Sequence, residues 1–138
     1  FKIPLFGWMA KKFKAIPIER GNIKSSIKSL KEAEKRLGEG YHICVLPEGT
    51  RSLDGKMLEF KKGGFHMAIN TKAPVLPVGI SGAFEYKPKN RWYLRPGSVQ
   101  INIGEPIDAS LYSVESIQDL INATYQNICL LSKDMNDV

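Results

Sequence analysis

Between Gly38 and Pro47 the sequence changes period, and that change limits the folds open to the chain. Ile23, Ile27, Leu30 and Leu37 recur at helical spacing behind Asn22, a good N-cap residue, and Gly38 predicts the helix stop. Tyr41 to Leu46 then reads YHICVL, apolar on both faces, which predicts a buried strand closed by Pro47. The exchange repeats downstream. Gly63 to Asn70 predicts a shorter helix. Val75 to Ile80 predicts a second buried strand, with Pro74 before it and Pro77 inside it. Ser98 to Ile103 alternates and predicts a half-buried strand. Ser113 caps a last helix whose stripe is Val114, Ile117, Ile121, Thr124, Ile128 and Leu131. Strands alternating with helices predict an α/β domain.

The first residues carry a different signal. Past Pro4, suited to a first turn, Leu5, Met9, Phe13 and Ile16 form one stripe that Phe6 and Trp8 broaden, with Lys11 and Lys14 off it. Such a helix suits a packed core, the commoner case, and equally a membrane interface. Ala15 to Ile18 predicts a short strand, which Pro17 confines to an edge or a start. A turn at Arg20-Gly21-Asn22 follows.

The 138 residues are 43% apolar and 25% charged, the size and make-up of one globular domain. Disorder, collagen, coiled coil and a disulfide-rich scaffold are excluded. No apolar run approaches the ~20 residues of a membrane span. The sequence opens on Phe1, in mid-pattern, which predicts a piece of a longer protein. Net charge is +6, and its location matters more than its size. Residues 1–36 hold ten Lys/Arg against three acids, a net +7, and the rest hold ten against eleven. A basic end predicts an anionic partner: nucleic acid, an acidic membrane or a phosphorylated substrate. From Lys24 to Arg36 a solvated lysine-rich helix face explains the charge as well. Cys44 and Cys129 form no metal-ligand spacing and predict buried, reduced thiols.

Chemistry concentrates in Leu46-Pro47-Glu48-Gly49-Thr50-Arg51-Ser52, directly after a predicted strand. Ligands of open α/β sheets bind beyond the carboxyl ends of strands. Gly49 lets a ligand approach the backbone, and Arg51 offers a planar fork of donors suited to phosphate. His42 in a buried strand and His66 beside Phe65, Ala68 and Ile69 read as core residues. The stretch from Phe84 to Pro96 interleaves Tyr86, Trp92 and Tyr93 with Lys87, Lys89, Arg91 and Arg95. It reads as an exposed connecting loop, a base-stacking surface or a lipid-interface segment.

The PEGTRS run, followed by Phe60-Lys61-Lys62-Gly63, resembles the third sequence block of the glycerolipid acyltransferases, nearest the 1-acyl-sn-glycerol-3-phosphate (lysophosphatidic acid) acyltransferase type. Phe1 to Trp8 resembles the stretch before the second block, Ala15 to Arg20 the second block, Val75 to Gly82 the fourth, and Gly97 to Ile107 the strand and turn that follow. Pro17 departs from the family, which usually has a bulky apolar residue there. The family's first block, His-x-x-x-x-Asp, supplies the base, and it is not matched: five positions after His42 stands Pro47, and five after His66 stands Thr71.

The resemblance implies a single acyltransferase domain over residues 1–138, truncated at its N-terminus, with a central mostly parallel or mixed sheet flanked by helices. It implies transfer of a fatty acyl group from acyl-CoA or acyl carrier protein to the free hydroxyl of 1-acyl-sn-glycerol-3-phosphate, giving phosphatidic acid. Glycerol-3-phosphate stays open as the acceptor. The His/Asp block is expected upstream of Phe1, so the fragment alone is expected to be inactive. Arg51 and Arg20 are implied as phosphate ligands, Glu48 as orienting the acceptor hydroxyls or Arg51, and Gly49 and Thr50 as shaping the loop. Lys61 is a further phosphate ligand or half of a solvated Lys61-Lys62 pair; Pro47 and Pro77 are structural. No metal and no cofactor beyond the thioester co-substrate are implied. The expected partners are lysophosphatidic acid, the acyl donor and an anionic membrane surface, at the cytoplasmic face of a membrane, peripheral or anchored through upstream segments. A non-catalytic anionic-lipid or nucleic-acid-binding basic domain is the alternative, although no nucleic-acid-binding signature is present and no nucleic acid is expected.

Overall fold

The computed structural model describes residues 7–9, 12–17 and 23–132. Its contacts divide the chain into two units, Phe1–Ile43 and Cys44–Val138.

In the first unit the helix α1, Ile23–Gly38, follows the predicted period. It ends at Gly38, as expected. The helix runs through Gly38, and Gly40 takes the left-handed conformation at φ +87°. Tyr41 N–H returns to the Arg36 carbonyl at 3.0 Å and Gly40 N–H to that of Leu37 at 3.0 Å. These are the paired bonds of a left-handed C-cap, which glycine enters without a Cβ penalty. Lys35 and Arg36 in the last turn complement the negative end of the helix dipole. Ser29 is buried, and its hydroxyl donates to the Ser25 carbonyl at 3.0 Å and the Pro17 carbonyl at 2.6 Å, tying residues 15–17 to the helix.

The predicted N-terminal helix is described only at residues 7–9 and 12–16. Residues 7–9 and 12 are helical, and Phe13 N–H donates to the Met9 carbonyl at 3.0 Å. Phe13 is 80% exposed and Trp8 58%, so these members of the apolar face are not core. Residues 15–17 form no strand; Leu5, Lys11, Ile18 and the Asn22 cap lie outside the described residues.

In the second unit, α2 spans Gly63–Thr71, one residue beyond the expectation. Strand β1 is Val78–Ser81, followed by a single turn α3, Ala83–Tyr86. Strand β2 is Gln100–Ile103, and a 3-10 turn at Ala109–Leu111 precedes α4, Ile117–Leu131. Ser116 rather than Ser113 stands at the N-cap of α4, and Ser113 N–H donates to the Ser116 hydroxyl at 2.9 Å. Phe60, Phe65, Ala68, Ala109, Ile117, Leu120 and Ile121 form the core where α2, the 3-10 turn and α4 meet.

The sheet departs most from expectation. Among the described residues it has two strands, paired antiparallel with Val78 opposite Ile103 and Ile80 opposite Ile101. Val75 and Ile107 add one antiparallel bridge beyond Pro77. A central, mostly parallel or mixed sheet is not formed by these residues. The predicted buried strand Tyr41 to Leu46 enters no ladder, and its Leu46 is 78% exposed. A segment apolar on both faces is buried only when neighbours cover both, and the described residues supply none as strands. His42 and Cys44 are therefore exposed rather than buried; Cys129 is half-buried.

The faces of β1 are also reversed from a simple amphipathic strand. Gly79 and Ser81 point at α4: a Cβ on Gly79 would lie 2.5 Å from that of Leu131. Asn102 of β2 donates to the Leu131 carbonyl at 2.7 Å. Val78, Ile80, Ile101 and Ile103 occupy the opposite face and are exposed.

Candidate functional site

The chain leaves Leu46 in a tight turn, with Gly49 N–H donating to the Leu46 carbonyl at 3.1 Å. Gly49 has φ +67°, a left-handed conformation that other residues adopt at a cost. The turn is closed from the far end of the loop, where Lys61 N–H donates to the Pro47 carbonyl at 2.9 Å. Next to Lys61, buried Phe60 holds this end in the core, stacked on Phe65 at 6.3 Å between ring centroids and edge-on to Tyr125 at 5.1 Å. Both ends of the Pro47 to Lys61 segment are thus pinned.

Glu48 is half-buried and turned into this segment. Its Oε2 accepts the Leu58 N–H at 2.8 Å. The same carboxylate influences Tyr125: burial raises the Tyr125 hydroxyl above the ordinary tyrosine value, and Cys129 and the Glu48 charge add to the rise.

Arg51 is exposed; its carbonyl accepts the Thr50 hydroxyl at 3.5 Å, and its guanidinium has no hydrogen-bond or ion-pair partner among the described residues. The end of the Lys61 side chain lies over Gly49, with Cε and Nζ each 3.0 Å from where a Cβ would stand. Lys61 and Lys62 are both exposed, and Lys62 stands at the N-cap of α2. Thr50 is exposed, and its hydroxyl lies 3.5 Å from the Lys89 amine. The loop thus carries Arg51, Lys56 and Lys61 of its own and meets Lys89 from elsewhere in the unit. Phe84 reaches the same segment, 3.1 Å from a Cβ position on Gly55.

Of the expected site residues, the structure gathers Pro47, Glu48, Gly49, Thr50, Arg51 and Lys61 into one pinned loop. Pro77 is fully buried directly before β1 and accepts the Gly104 N–H at 2.9 Å, a position where a missing donor does no harm. Arg20 lies outside the described residues. Lys89 lies in the Phe84 to Pro96 stretch and is not among the expected site residues; its approach to Thr50 spans 39 positions, and no local pattern announces it. His66 is half-buried on α2. No group of three or more potential metal ligands occurs among the described residues. No described helix is long and apolar enough to cross a membrane. An open groove of about 590 Å³ runs along α1 past Lys28, Lys31, Lys35 and Arg36, and no residue of the Pro47 to Lys61 segment lines it.

Comparison with known proteins matches residues 1–81 to a family profile described as Acyltransferase. A protein of Pseudomonas aeruginosa named 1-acyl-sn-glycerol-3-phosphate acyltransferase is 36% identical over 119 residues, covering 86% of this chain and 46% of the relative. One of the same name from Limnanthes douglasii is 33% identical over 119 residues, covering 86% of this chain and 42% of its own length. The crystal structure of the 1-acyl-sn-glycerophosphate (LPA) acyltransferase PlsC from Thermotoga maritima superposes with a TM-score of 0.78 at 37% identity, over 92% of this chain and 49% of that one. The chain therefore shares the PlsC fold and spans about half the length of the relatives it matches.

Proposed function

This chain belongs to the acyltransferase family, and from that premise we propose that it forms the acceptor-binding part of a 1-acyl-sn-glycerol-3-phosphate O-acyltransferase of phospholipid synthesis. The full-length enzyme moves a fatty acyl group from acyl-CoA or acyl carrier protein to the free hydroxyl of 1-acyl-sn-glycerol-3-phosphate. The observation that carries this reading is the Arg51 guanidinium, exposed and unpartnered among the described residues, on a loop pinned at both ends, with Lys61 over Gly49 and Lys89 at Thr50 of the same loop. Cations carried on and against one held loop suit a phosphate dianion, and the arginine fork can bond two of its oxygens at once.

The acceptor hydroxyl attacks the thioester carbonyl, a C–O bond forms, and the C–S bond breaks. The hydroxyl proton passes to a base and then to the leaving thiolate. Such a base typically contributes about 10²–10⁴ in rate. We assign it to a His-x-x-x-x-Asp block in a segment preceding Phe1, so these 138 residues alone carry no transfer activity. The same reading completes the sheet. The unladdered Tyr41 to Leu46 segment and the exposed Val78, Ile80, Ile101 and Ile103 face belong to a larger mixed sheet in the full-length protein. Its acceptor is a lipid, so the enzyme works at an anionic membrane surface, on the cytoplasmic side.

The test is acyl transfer to lysophosphatidate by the full-length protein. Arg51→Ala should cut kcat/KM for the acceptor about 10- to 100-fold, the effect of one charge-assisted bond of ~1.5–3 kcal/mol. Arg51→Lys should restore little of it, because a point charge does not replace the fork. Unchanged acceptor kinetics in Arg51→Ala would make the loop structural and end this reading.

A further inference from the structure

Trp92 is 90% exposed, the most exposed of the large apolar side chains described. Its loop is nevertheless built. Arg91 Nη2 donates to the carbonyls of Glu85 at 2.7 Å and Tyr86 at 2.8 Å, and its Nε donates to that of Tyr93 at 3.1 Å. The Arg91 guanidinium also lies 5.0 Å from the Tyr93 ring centroid. Arg95 N–H closes the loop on the Tyr86 carbonyl at 3.0 Å. One arginine thus clamps the backbone while the neighbouring indole stands in solvent. Holding an exposed indole in a fixed loop removes ordering cost from a later contact, and the ring's one aromatic neighbour among the described residues is Tyr93, 5.6 Å away and edge-on.

We propose that the Lys87 to Pro96 loop is a membrane-docking element, with Trp92 entering the interface of an anionic bilayer beside the phosphate-binding loop. The inference rests on the lipid-acceptor reading above and adds a second membrane contact, separate from the basic N-terminal segment. Three observations support it. Trp92, Tyr93 and Leu94 stand exposed in succession, two of them amphipathic rings of the kind that settle at lipid headgroups. Residues 84–96 carry four bases against one acid, matching an anionic leaflet. The loop touches the site through Lys89 at Thr50, and the helix before it does so through Phe84 over Gly55, so an indole seated in the bilayer brings Arg51's loop to the surface where a lysophospholipid resides. A nucleic-acid surface fits less well. The Trp92 and Tyr93 rings meet edge-on at 78°, not as parallel platforms for successive bases.

The test uses full-length protein and its Trp92→Phe variant, whose difference spectrum isolates the Trp92 emission. With phosphatidylglycerol vesicles that emission should move to the blue and be quenched by lipids brominated in the acyl chain. Phosphatidylcholine vesicles should give a weaker response. Trp92→Ala should raise the apparent KM for vesicle-borne lysophosphatidate about tenfold, the consequence of leaving one large side chain unburied. Trp92 emission that stays unchanged on anionic vesicles overturns the proposal. Emission quenched by a single-stranded oligonucleotide at physiological salt, but not by brominated lipid, overturns it in favour of nucleic acid. Lipid quenching without any acyl transfer would leave the docking loop standing and fell the enzymatic reading instead.

Discussion

Glu48 accepts the backbone N–H of Leu58 across ten residues, at 2.8 Å. The family resemblance points Glu48 at the acceptor or at Arg51, yet one of its oxygens is committed to the loop's own backbone. Its carboxylate spans the Pro47 to Lys61 segment from inside, while the Lys61 to Pro47 bond closes it from outside. Arg51 rides on the segment these two bonds hold.

Glu48→Gln and Glu48→Ala should therefore differ. Glutamine keeps an acceptor for Leu58 N–H, whereas alanine leaves a half-buried donor unpaired, at a cost of ~1–3 kcal/mol. Urea denaturation of the full-length protein should show a clear loss for alanine and a small one for glutamine. The acceptor KM should rise in the same order, because the loop carrying Arg51 loosens. Equal loss of kcat in both variants, with stability untouched, would instead put the Glu48 charge at the reacting hydroxyl.

Gly49 makes a second, independent case. Alanine there adopts a left-handed φ at about 1–2 kcal/mol and must also displace the Lys61 side chain, now 3.0 Å from the Cβ position. A double-mutant cycle separates the two costs. In a Lys61→Ala background Gly49→Ala should be less destabilising by about 0.5 kcal/mol or more, the coupling expected of residues in contact. Additive effects in denaturant titrations would show that Lys61 moves aside freely and does not sit over the loop.

How much of this was readable in advance follows the range of the interactions. The helices at Ile23–Gly38 and Gly63–Thr71 are local, period-3.6 objects, and the stripes locate them within a residue or two. Gly38 marks the helix end, but the left-handed turn at Gly40 and the bond from Tyr41 N–H back to Arg36 that close it are not announced by the stripe. The PEGTRS loop announces itself as Glu, Gly, Thr and Arg beside a predicted strand. Its closure does not: Leu58 on Glu48, Lys61 over Gly49 and Lys89 at Thr50 link positions 10, 12 and 39 apart. Strand faces were the least legible. Val75 to Ile80 predicts a strand buried on both faces, but in β1 only Gly79 and Ser81 are buried, Gly79 against Leu131 of α4, while Val78 and Ile80 are exposed. Alternation reports that a strand has two faces and not which neighbour each one meets.

The last prediction returns to the charge at the start of the chain. Residues 1–36 carry a net +7, and two of the described lysines there lie against aromatic rings: Lys12 4.6 Å from the Trp8 centroid and Lys14 4.1 Å from that of Tyr41. Lys14 also donates to the Tyr41 hydroxyl, and it ends the helical turn with a left-handed φ of +52°. With Trp8 and Phe13 exposed, this segment presents apolar rings and ammonium groups together, the pairing that suits an anionic membrane interface. Each lysine near such a leaflet contributes about 1 kcal/mol, and the attraction fades within a Debye length of about 10 Å at 0.1 M salt. Sedimentation with phosphatidylglycerol vesicles should therefore show binding that weakens steeply with salt, and poor binding to neutral phosphatidylcholine. A Lys11→Gln, Lys12→Gln, Lys14→Gln triple variant should lose most of the salt-sensitive part and keep what the Trp92 loop supplies. If the variant pellets with anionic vesicles as well as the unmodified protein at every salt concentration, the basic segment makes no membrane contact. The charge of residues 1–36 would then be that of a solvated helix face.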